Sequence, residues 1–432
     1  MAKQKVLIIG AGFTGLSAGF KLSKKEDVTI FEKDSRPGGL AIGFKESGWK
    51  WSLEKHYHHI FTSDKAIQRL ASSIGVKILF KRPKTSIFIQ GSVYRLDSPM
   101  SLLKFPLLSL SDRLRTGLVL SYLKVSPFWK NLEGKFAKDF LIKSMGKRSW
   151  QVLWEPLFRG KFGIFAKEIP ASWFWARIKK RSTSLGYPEG GFEKLSQTVA
   201  DHIIKQGGRI FYNTGVLSIK KKQDKFIGEA KNLFIIKTDD GHEYIFDKVI
   251  CTLPTFLFLK IVKGLPKKYV DSLVTLNGVG AVNLVLSLKK QFLTDGTYWL
   301  NINDLSIPFL SVVEHTNFMD EDNYGKNKLV YIGNYLPASH LYFKKEASEL
   351  LKEFLPSLQI LNKDFDLNWV KKAYVFKAPF AQPLIPLNYS KKLPKIKTPF
   401  QGLYLANIQQ VYPWDRGTNY AVELGNKVSR MI

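Results

Sequence analysis

The first 32 residues alternate apolar and polar runs in an order that predicts strand, helix and strand. Val6–Ile9 is an unbroken apolar run that ends at a glycine, as expected for a strand buried on both faces. Leu16–Leu22 continues as a helix, and Val28–Phe31 is a second buried strand. We therefore predict a β-α-β unit at the start of an α/β fold.

The turn between the first strand and the helix has the glycine spacing of a dinucleotide site. Gly10 permits a tight turn, Gly12 lets a pyrophosphate approach the backbone, and Gly15 lets the helix pack closely on the strand. The helix N-terminus offers free N–H groups to the phosphates. Glu32, 22 residues after Gly10, can accept hydrogen bonds from a ribose 2′-hydroxyl. Because all these parts occur in the required order, we predict a dinucleotide-binding site.

The charge and cysteine content narrow the possible partners. The 432 residues include 66 Lys and Arg against 36 Asp and Glu, a net charge of +30 that favours anionic substrates or lipid surfaces. The charge is spread along the chain without an RNA-binding signature, so we interpret it mainly as a lysine-rich surface and predict no specific nucleic-acid partner. The single cysteine, Cys251, excludes a disulfide framework and multi-cysteine metal sites.

No targeting or spanning segment is predicted. Val6–Ile9 is too short for the apolar region of a secretory signal, and no run of about 18 uncharged apolar residues occurs. We expect a cytoplasmic protein. The apolar, basic segment 98–110, followed by Arg113, Arg115 and Lys124, would suit peripheral contact with an anionic membrane at its inner face. A buried helix pair would explain the same segment.

A second glycine turn, Gly38-Gly39, follows the second strand within Glu32–Leu40. The two turns together resemble the glutathione-reductase-type flavoproteins and, among them, the flavin amine oxidase superfamily. That group includes protoporphyrinogen oxidases, phytoene desaturases and, more distantly, UDP-galactopyranose mutases. The family pattern ends the double glycine with arginine, where this chain has Leu40. The resemblance implies a Rossmann-like domain that binds FAD non-covalently.

Further blocks extend the resemblance over most of the chain. Tyr187–Leu195 resembles the start of a family helix, Asn213–Ile219 the strand whose valine backbone meets the adenine, and Phe246–Pro254 the strand beneath the flavin. Asn407 replaces an aspartate that contacts the ribityl chain, and Arg416–Gly425 resembles the glycine-led helix facing the flavin O2 side. The resemblance implies FAD contacts at Gly10, Gly12, Phe13, Thr14, Gly15, Glu32, Lys33, Arg36, Gly38, Gly39, Leu40, Val216, Asn407, Gly417, Thr418 and Asn419.

These blocks divide the chain into two interleaved domains. Residues 1–75, 188–262 and 395–432 are expected to form a discontinuous FAD-binding domain. Residues 76–187 and 263–394 are expected to form an inserted α+β substrate-binding domain with a mixed sheet and helices.

The first candidates for catalysis lie in residues 49–63, which contain three of the seven histidines. The segment resembles the loop that galactopyranose mutases place against the isoalloxazine ring. His58 or His59 could there donate to a substrate oxygen or relay a proton. No spaced carboxylate or histidine accompanies them, so we predict no metal site.

Three further candidates belong to the substrate domain. Glu314 and His315 follow a strand-like run at the place where a substrate-domain sheet would meet the flavin. Arg159 lies in Trp154–Gly163, which resembles a substrate-domain segment of the protoporphyrinogen oxidases. That segment lies in a tryptophan-rich region, residues 129–175, which holds five of the ten tryptophans. The region is either an aromatic helical core or a pocket with Glu155, Arg159 and Lys161 as polar handles.

The resemblance implies an FAD-dependent oxidoreductase that moves hydride from a C–H bond to flavin N5. Its small-molecule substrate would be amphipathic or apolar, and lipid- or isoprenoid-linked compounds fit that description. The alternative is a nucleotide-sugar mutase that uses reduced flavin without net redox change, which the histidine segment and the positive charge favour. A flavin-binding scaffold without turnover is a third hypothesis. The sequence indicates neither the electron acceptor nor the oligomeric state.

Overall fold

The computed structural model describes residues 3–226 and 229–432, and it shows an α/β fold with mixed sheets and helices. The strands are β1 Lys5–Ile9, β2 Asp27–Phe31, β3 Gly43–Phe44, β4 Leu53–Glu54, β5 Ile60–Phe61, β6 Ile78–Lys81, β7 Lys84–Ile89, β8 Ser92–Arg95, β9 Leu185–Pro188, β10 Arg209–Phe211, β11 Val216–Phe226, β12 Glu229–Thr238, β13 Glu243–Phe246, β14 Lys248–Cys251, β15 Gly278–Leu288, β16 Thr297–Ile302, β17 Ser311–Glu314, β18 Lys328–Leu336, β19 Val370–Pro383 and β20 Leu403–Leu405. The helices are α1 Phe13–Leu22, α2 Lys65–Ser73, α3 Pro99–Leu103, α4 Leu110–Val125, α5 Ala137–Met145, α6 Lys147–Ser149, α7 Glu155–Phe162, α8 Ala171–Lys180, α9 Gly191–Lys205, α10 Thr255–Ile261, α11 Lys267–Val274, α12 Ala347–Leu361 and α13 Thr418–Ser429.

A parallel five-stranded sheet, in the order β10-β2-β1-β14-β20, contains the predicted N-terminal unit. Alternate residues of β1 face different layers, because side chains of a strand alternate between its two faces. Val6 and Ile8 join the apolar cluster that α1, α9 and α13 share. Leu7 and Ile9 pack instead with residues of the antiparallel sheet β11-β12-β13 and of α10. Burial on both faces explains the unbroken apolar run.

A mixed seven-stranded sheet forms the second layer system, in the order β19-β15-β18-β17-β16-β7-β8. Its strands pair antiparallel except for β7 with β16. One face packs on α12 through Leu350, Phe354 and Leu358. The opposite face contributes Val285 and Tyr331 to the core of the parallel sheet, so the two sheets share one apolar cluster. This shared layer positions the candidate site.

The two sheets draw their strands from different parts of the chain. The parallel sheet uses strands within residues 5–31, 209–251 and 403–405, and the seven-stranded sheet uses strands within 84–95 and 278–383. This distribution follows the expected division into two interleaved domains, whose boundaries remain a prediction.

The tryptophan-rich region, residues 129–175, forms helices α5 and α7 and the first half of α8, which pack with α4 around an aromatic core. Trp150, Trp173 and Trp175 are at most 4% exposed, and Phe158 and Phe162 pack beside Trp173 at ring distances of 5.2 and 4.8 Å. Most of the aromatic side chains here therefore serve packing. Within the described residues, no helix is both long and apolar enough to cross a membrane.

Candidate active site

The turn at the N-terminus of α1 presents backbone N–H groups that can bind an anion. Gly10 has φ of +98°, and a Cβ atom at Gly15 would lie 2.0 Å from the carbonyl oxygen of Gly10. Side chains at either position are therefore excluded. The helix begins after Gly12 without a side-chain cap and without an acidic residue in its first turn. Its first N–H groups thus lack a side-chain acceptor and suit a phosphate.

The second glycine turn lies directly against the first. Gly38 donates its N–H to the carbonyl oxygen of Ala11 at 3.0 Å, and a Cβ atom at Gly39 would lie 3.1 Å from the Cα atom of Gly12. Two loops without side chains therefore build one backbone cradle. Leu40, at the position of the family arginine, is 37% exposed.

Glu32 lies at the carboxyl end of β2, beside this cradle. Its carboxylate accepts hydrogen bonds from the N–H groups of Ala11 at 2.6 Å and Asp34 at 2.9 Å. Burial raises its pKa, against these two backbone donors. The carbonyl oxygen of Glu32 accepts from Thr214 N–H, which brings the segment before Val216 to the same place. The predicted ribose and adenine contacts therefore lie together.

Two predicted basic contacts lie on the protein surface. Lys33 is exposed, and the exposed Arg36 donates from Nη1 to Oε1 of Glu193 at 2.5 Å. The pair joins the end of β2 to α9, which carries Glu193. Neither basic side chain enters the cradle described above, and their contacts to FAD remain predictions.

The C-terminal cofactor candidates have partners within the protein. Asn407 Oδ1 accepts from Gln409 N–H, and Nδ2 donates to the carbonyl oxygen of Leu253 at 2.9 Å. Asn419 Oδ1 accepts from the first N–H groups of α2, at Ala66 and Ile67. Both asparagines thus hold backbone segments in place. Helix α13, which begins at Thr418 after Gly417, has no side-chain cap at its N-terminus.

The histidine segment lies across from the glycine cradle. The ring of His58 is 5.5 Å from that of Phe192, which in turn packs edge-on at 6.3 Å against Phe13, the first residue of α1. On its other side, the ring of His59 is 5.8 Å from Trp299 of the seven-stranded sheet. The segment therefore spans the space between the parallel sheet and the seven-stranded sheet.

The imidazoles of this segment are neutral at neutral pH. Burial, with a smaller contribution from nearby arginines, lowers the pKa of His58 to about 4 and that of His59 to about 3. His58 Nδ1 lies 2.6 Å from the carbonyl oxygen of His56. Because a carbonyl only accepts, Nδ1 carries the proton, and Nε2 of His58 carries a lone pair.

Glu314 and His315 are buried with partners of their own. The Glu314 carboxylate accepts from the N–H groups of Phe292 at 3.2 Å and Leu293 at 2.5 Å. His315 Nε2 is 2.7 Å from the hydroxyl of Tyr324. The contacts of Glu314 hold the chain after β15, whereas His315 belongs to a cluster described next. The structure does not bring either one into contact with His58 or His59.

A buried cluster surrounds Glu54, which is completely inaccessible to solvent. Tyr187 donates to the Glu54 carboxylate at 2.8 Å, and Phe192 N–H donates at 2.8 Å. Burial raises the pKa of Glu54 to about 7. We call this set the glutamate cluster, and its members are Glu54, Tyr187, His315, Tyr324 and Tyr331, whose hydroxyl donates to the Glu54 carbonyl oxygen at 2.6 Å.

A second polar cluster lies among α7, α8 and the segment before α13. Lys161 is 6% exposed, and its Nζ is 3.4 Å from Asp415 Oδ2. Its ammonium group also lies over the rings of Trp173 at 5.2 Å and Tyr335 at 5.4 Å. Burial lowers the pKa of Lys161 to about 7. The charged members, which we call the cation cluster, are Lys161, Arg177, Arg181, Asp415 and Arg416.

Arg159 does not join this cluster. Its guanidinium is half exposed and pairs with Glu155 one turn earlier on α7, at 2.8 Å. Lys161, two residues later, projects to the opposite, buried side of the helix. The predicted catalytic role of Arg159 has no contact with the histidine segment to support it.

A model of the flavin-containing amine oxidoreductase family matches residues 13–410 of this chain. The chain belongs to that family. The members of this family are flavin-containing oxidoreductases, and FAD is the cofactor of this chain. The cradle described above fits this cofactor, because its backbone N–H groups can donate to the phosphates and side chains are excluded beside them. Glu32 also follows the first glycine at the sequence spacing of an acid that binds the ribose.

Three individual proteins that are similar to this chain have sequence identities to it of 25% or less. The coproporphyrinogen III oxidase of Staphylococcus aureus is 25% identical over 301 residues, which is 59% of this chain and 62% of that protein. The putative protoporphyrinogen oxidase of Exiguobacterium sp. 255-15 has a TM-score of 0.75 at 15% identity, covering 100% and 99% of the two chains. Reduced UDP-galactopyranose mutase has a TM-score of 0.75 at 14% identity, covering 100% and 96%. The chain thus spans about three fifths of its curated relative, and the structural matches show the fold alone.

The cation cluster contains residues that the flavin-family motifs do not indicate. Trp173, Arg177 and Arg181 follow at intervals of four residues, so they share one face of α8 and its end. This spacing is visible in the sequence as an aromatic and cationic stripe. Tyr335 carries no comparable signal, because its place is set by the pairing of β18 with β15.

Proposed function

We propose that this protein oxidises a small amphipathic molecule by hydride transfer from a C–H bond, next to nitrogen or carbon, to FAD. The FAD-binding region would be of the glutathione-reductase type. When bound, FAD would supply N5 as the acceptor of the hydride, which carries both electrons. The observation that carries the proposal is the neutral histidine segment between the glycine cradle and the seven-stranded sheet.

His58 would receive the proton that leaves the substrate with the hydride. Its Nδ1–H is held by the carbonyl oxygen of His56, so the lone pair on Nε2 is available. His59 Nδ1 is buried and has no hydrogen-bond partner among the described residues, which leaves it free for a substrate oxygen. One hydride and one proton thus leave the substrate, and dioxygen or a quinone would reoxidise the cofactor.

Anaerobic stopped-flow reduction of the FAD-loaded protein tests this proposal. Amines, porphyrinogens, isoprenoids and NAD(P)H would each be mixed with it while the visible flavin band is followed. With a donor that bleaches the band, we expect His58→Gln to slow reduction by roughly 10²–10⁴-fold, as for loss of a general base. His242→Gln, at a surface histidine with a 70% exposed side chain, is the control. Equal rates in both variants would contradict the role of His58.

The alternative is a nucleotide-sugar mutase that requires reduced flavin and consumes no electrons. The cation cluster favours it, because a sugar-nucleotide diphosphate carries negative charge that these side chains could neutralise. Isomerisation of a UDP-sugar by the prereduced protein, without bleaching by any donor, would establish this alternative. Bleaching by a donor with product release would exclude it as the main activity.

We also propose that α4 contacts an anionic membrane, at the inner face of a cytoplasmic membrane. Its outer face is an apolar stripe, whereas Thr116 and Leu123 on the opposite face are buried. Arg115 and Lys124 flank the stripe and are exposed. A cationic rim around apolar side chains fits anionic lipid. The stripe consists of Leu110, Leu114, Leu118, Tyr122 and Val125, which are 49–73% exposed.

Vesicle flotation tests this surface. We expect binding to phosphatidylglycerol vesicles, weaker binding to phosphatidylcholine, and loss of both in Leu118→Asp. Ile360→Asp, at an apolar residue of α12 that is 55% exposed, against 72% for Leu118, should bind like the wild type. Equal binding of the two variants would contradict a membrane role for α4. Such contact would suit a lipid- or isoprenoid-linked substrate, since α4 packs on α8 of the cation cluster.

A further inference from the structure

The cation cluster carries more positive charge than its acid neutralises. Asp415 is its one acid, and it faces four cationic side chains. The Asp415 carboxylate contacts Lys161 Nζ at 3.4 Å, Gln382 Nε2 at 3.4 Å and the N–H of Arg416 at 3.0 Å. None of these contacts involves Arg177 of α8 or Arg181, which follows the end of that helix.

The remaining guanidinium groups have neutral partners or none. Arg416 donates to Gln382 Oε1 at 3.0 Å and to the hydroxyl of Tyr335. Arg177 lies 5.7 Å from the centre of the Trp173 ring. Within residues 3–226 and 229–432, neither Arg177 nor Arg181 makes a side-chain hydrogen bond or ion pair. Partly buried cations in this state are costly unless an anion compensates them.

We propose that Arg177 and Arg181, with Lys161 and Arg416, bind an anionic group of the substrate, a phosphate or a carboxylate. Two guanidinium groups one turn apart can each present a fork of N–H donors to one oxyanion. This assignment rests on the proposed function, because it places the anion beside the histidine segment.

The position of the cluster supports a role in orientation. The N–H of Thr62 donates to Ser182 Oγ at 3.0 Å and Ser63 Oγ donates to the carbonyl oxygen of Lys180 at 2.8 Å, so the end of the histidine segment lies beside Arg181. Arg181 and Arg177 also help lower the pKa of His59, and Arg416 acts in the same way on His58. An anion held by the arginines would therefore lie beside the proton-accepting imidazoles. The reacting C–H bond would belong to the part of the substrate that extends from this charged end toward the flavin.

The cations could instead serve the negative charge of reduced FAD, and the two roles have different signatures. An anion site predicts saturable binding of small anions that weakens when an arginine is removed. A flavin role predicts a lower midpoint potential after the same change, with anion affinity unaltered. Measuring both properties on the same variants separates the roles.

The experiment titrates the FAD-loaded protein with inorganic phosphate, pyrophosphate, UDP and succinate, following the visible flavin spectrum and the heat of binding. We expect saturable binding of at least one probe. The double variant Arg177→Gln, Arg181→Gln should weaken it at least about tenfold, as for loss of charged hydrogen bonds. Preference among the probes distinguishes a phosphate site from a carboxylate site.

Arg69→Gln is the matched control, because Arg69 is an exposed arginine of α2. FAD content and circular dichroism establish that each variant is folded. Absence of saturable binding, equal affinities in the double variant and Arg69→Gln, or an altered midpoint potential with unaltered affinity would overturn the inference. Arginine-dependent binding without flavin reduction by any donor would leave the anion site standing and contradict the proposed oxidation.

Discussion

The glutamate cluster, which is buried throughout, and the cation cluster, which is partly buried around Lys161, differ in how their charges are satisfied. Around Glu54, the carboxylate has donors at 2.8 Å from Tyr187 and from the N–H of Phe192. Around Lys161, one carboxylate faces several cations, and Arg177 makes no side-chain hydrogen bond within the described part of the chain. The first cluster is complete within the protein, and the second is complete only with an anion.

This difference separates structural from functional polar groups. A satisfied buried network stabilises one arrangement of the chain, whereas an unsatisfied one costs free energy that a ligand can recover. Both clusters border the histidine segment and both contain a buried ionisable group, Glu54 in one and Lys161 in the other, so the burial of such a group does not distinguish them. The hydrogen bonds that each cluster makes within the protein distinguish the two. We therefore expect substitutions in the glutamate cluster to reduce stability and substitutions of the α8 arginines to reduce ligand binding.

The largest effect is expected from Glu54→Leu. The change leaves the hydroxyl of Tyr187 and the N–H of Phe192 buried without their acceptor, at about 1–3 kcal/mol for each group. We expect the free energy of unfolding to fall by about 4 kcal/mol, measured by urea denaturation. Glu243→Leu, at an exposed glutamate of β13, should lose much less. Similar losses in both variants would show that the hydrogen bonds of the glutamate cluster add nothing specific to the free energy of unfolding.

The pH dependence of stability provides the next test. The folded pKa of Glu54 is about 7, above its ordinary value of 4.5, so the folded state binds the extra proton between these values. Its contribution is complete below pH 4.5 and is lost as pH rises through 7. The unfolding free energy of the wild type minus that of Glu54→Gln should thus fall by up to about 3 kcal/mol from pH 5 to 8.

The same subtraction removes the opposing effect of His315. Burial lowers the pKa of His315 to about 3, so its contribution is lost as pH falls below 6.5. Because both proteins retain His315, this contribution cancels in the difference. A difference that is constant between pH 5 and 8 would mean that Glu54 is ionised in the folded protein.

Asp415→Asn tests the other cluster and should cost about 2 kcal/mol of stability. The change removes the one acid that faces Lys161, and the lysine can limit the loss by releasing its proton. Urea denaturation measures the effect, with Asp27→Asn as the control at the more exposed pair with Arg209. A loss no larger than in the control would mean that the cation cluster needs no internal acid.

The glycine cradle of the candidate site could be predicted from the sequence, because backbone atoms rather than side chains form it. Gly10, Gly12 and Gly15 lie within six residues, and the cradle depends on missing side chains and open N–H groups. The strand Val6–Ile9 was likewise predicted within one residue of β1. Local spacing carries this information, so no knowledge of distant contacts is required.

The rest of the site depends on contacts between distant segments. Lys161 meets Asp415 across 254 positions of the chain, and Glu54 meets Tyr187 across 133. The local sequence does not distinguish the buried Lys161 from the exposed Arg159, since both lie on α7. Which face of α7 is buried depends on the helix against which α7 packs. The sequence also predicts Glu314 and His315 near the flavin. The structure gives both residues hydrogen-bond partners within the protein, and these explain their burial without a ligand.

The smallest and most selective comparison removes one hydroxyl from each cluster. Tyr324→Phe leaves His315 Nε2 without its partner at 2.7 Å, so we expect a loss of about 1 kcal/mol. Tyr335→Phe removes an acceptor of Arg416 but keeps the ring under Lys161 and Arg416, and stability should change by less than about 0.5 kcal/mol. Anion binding should respond in the opposite order, weakening in Tyr335→Phe alone. If Tyr335→Phe proved the less stable variant and bound anions normally, the cation cluster would be a structural element like the glutamate cluster.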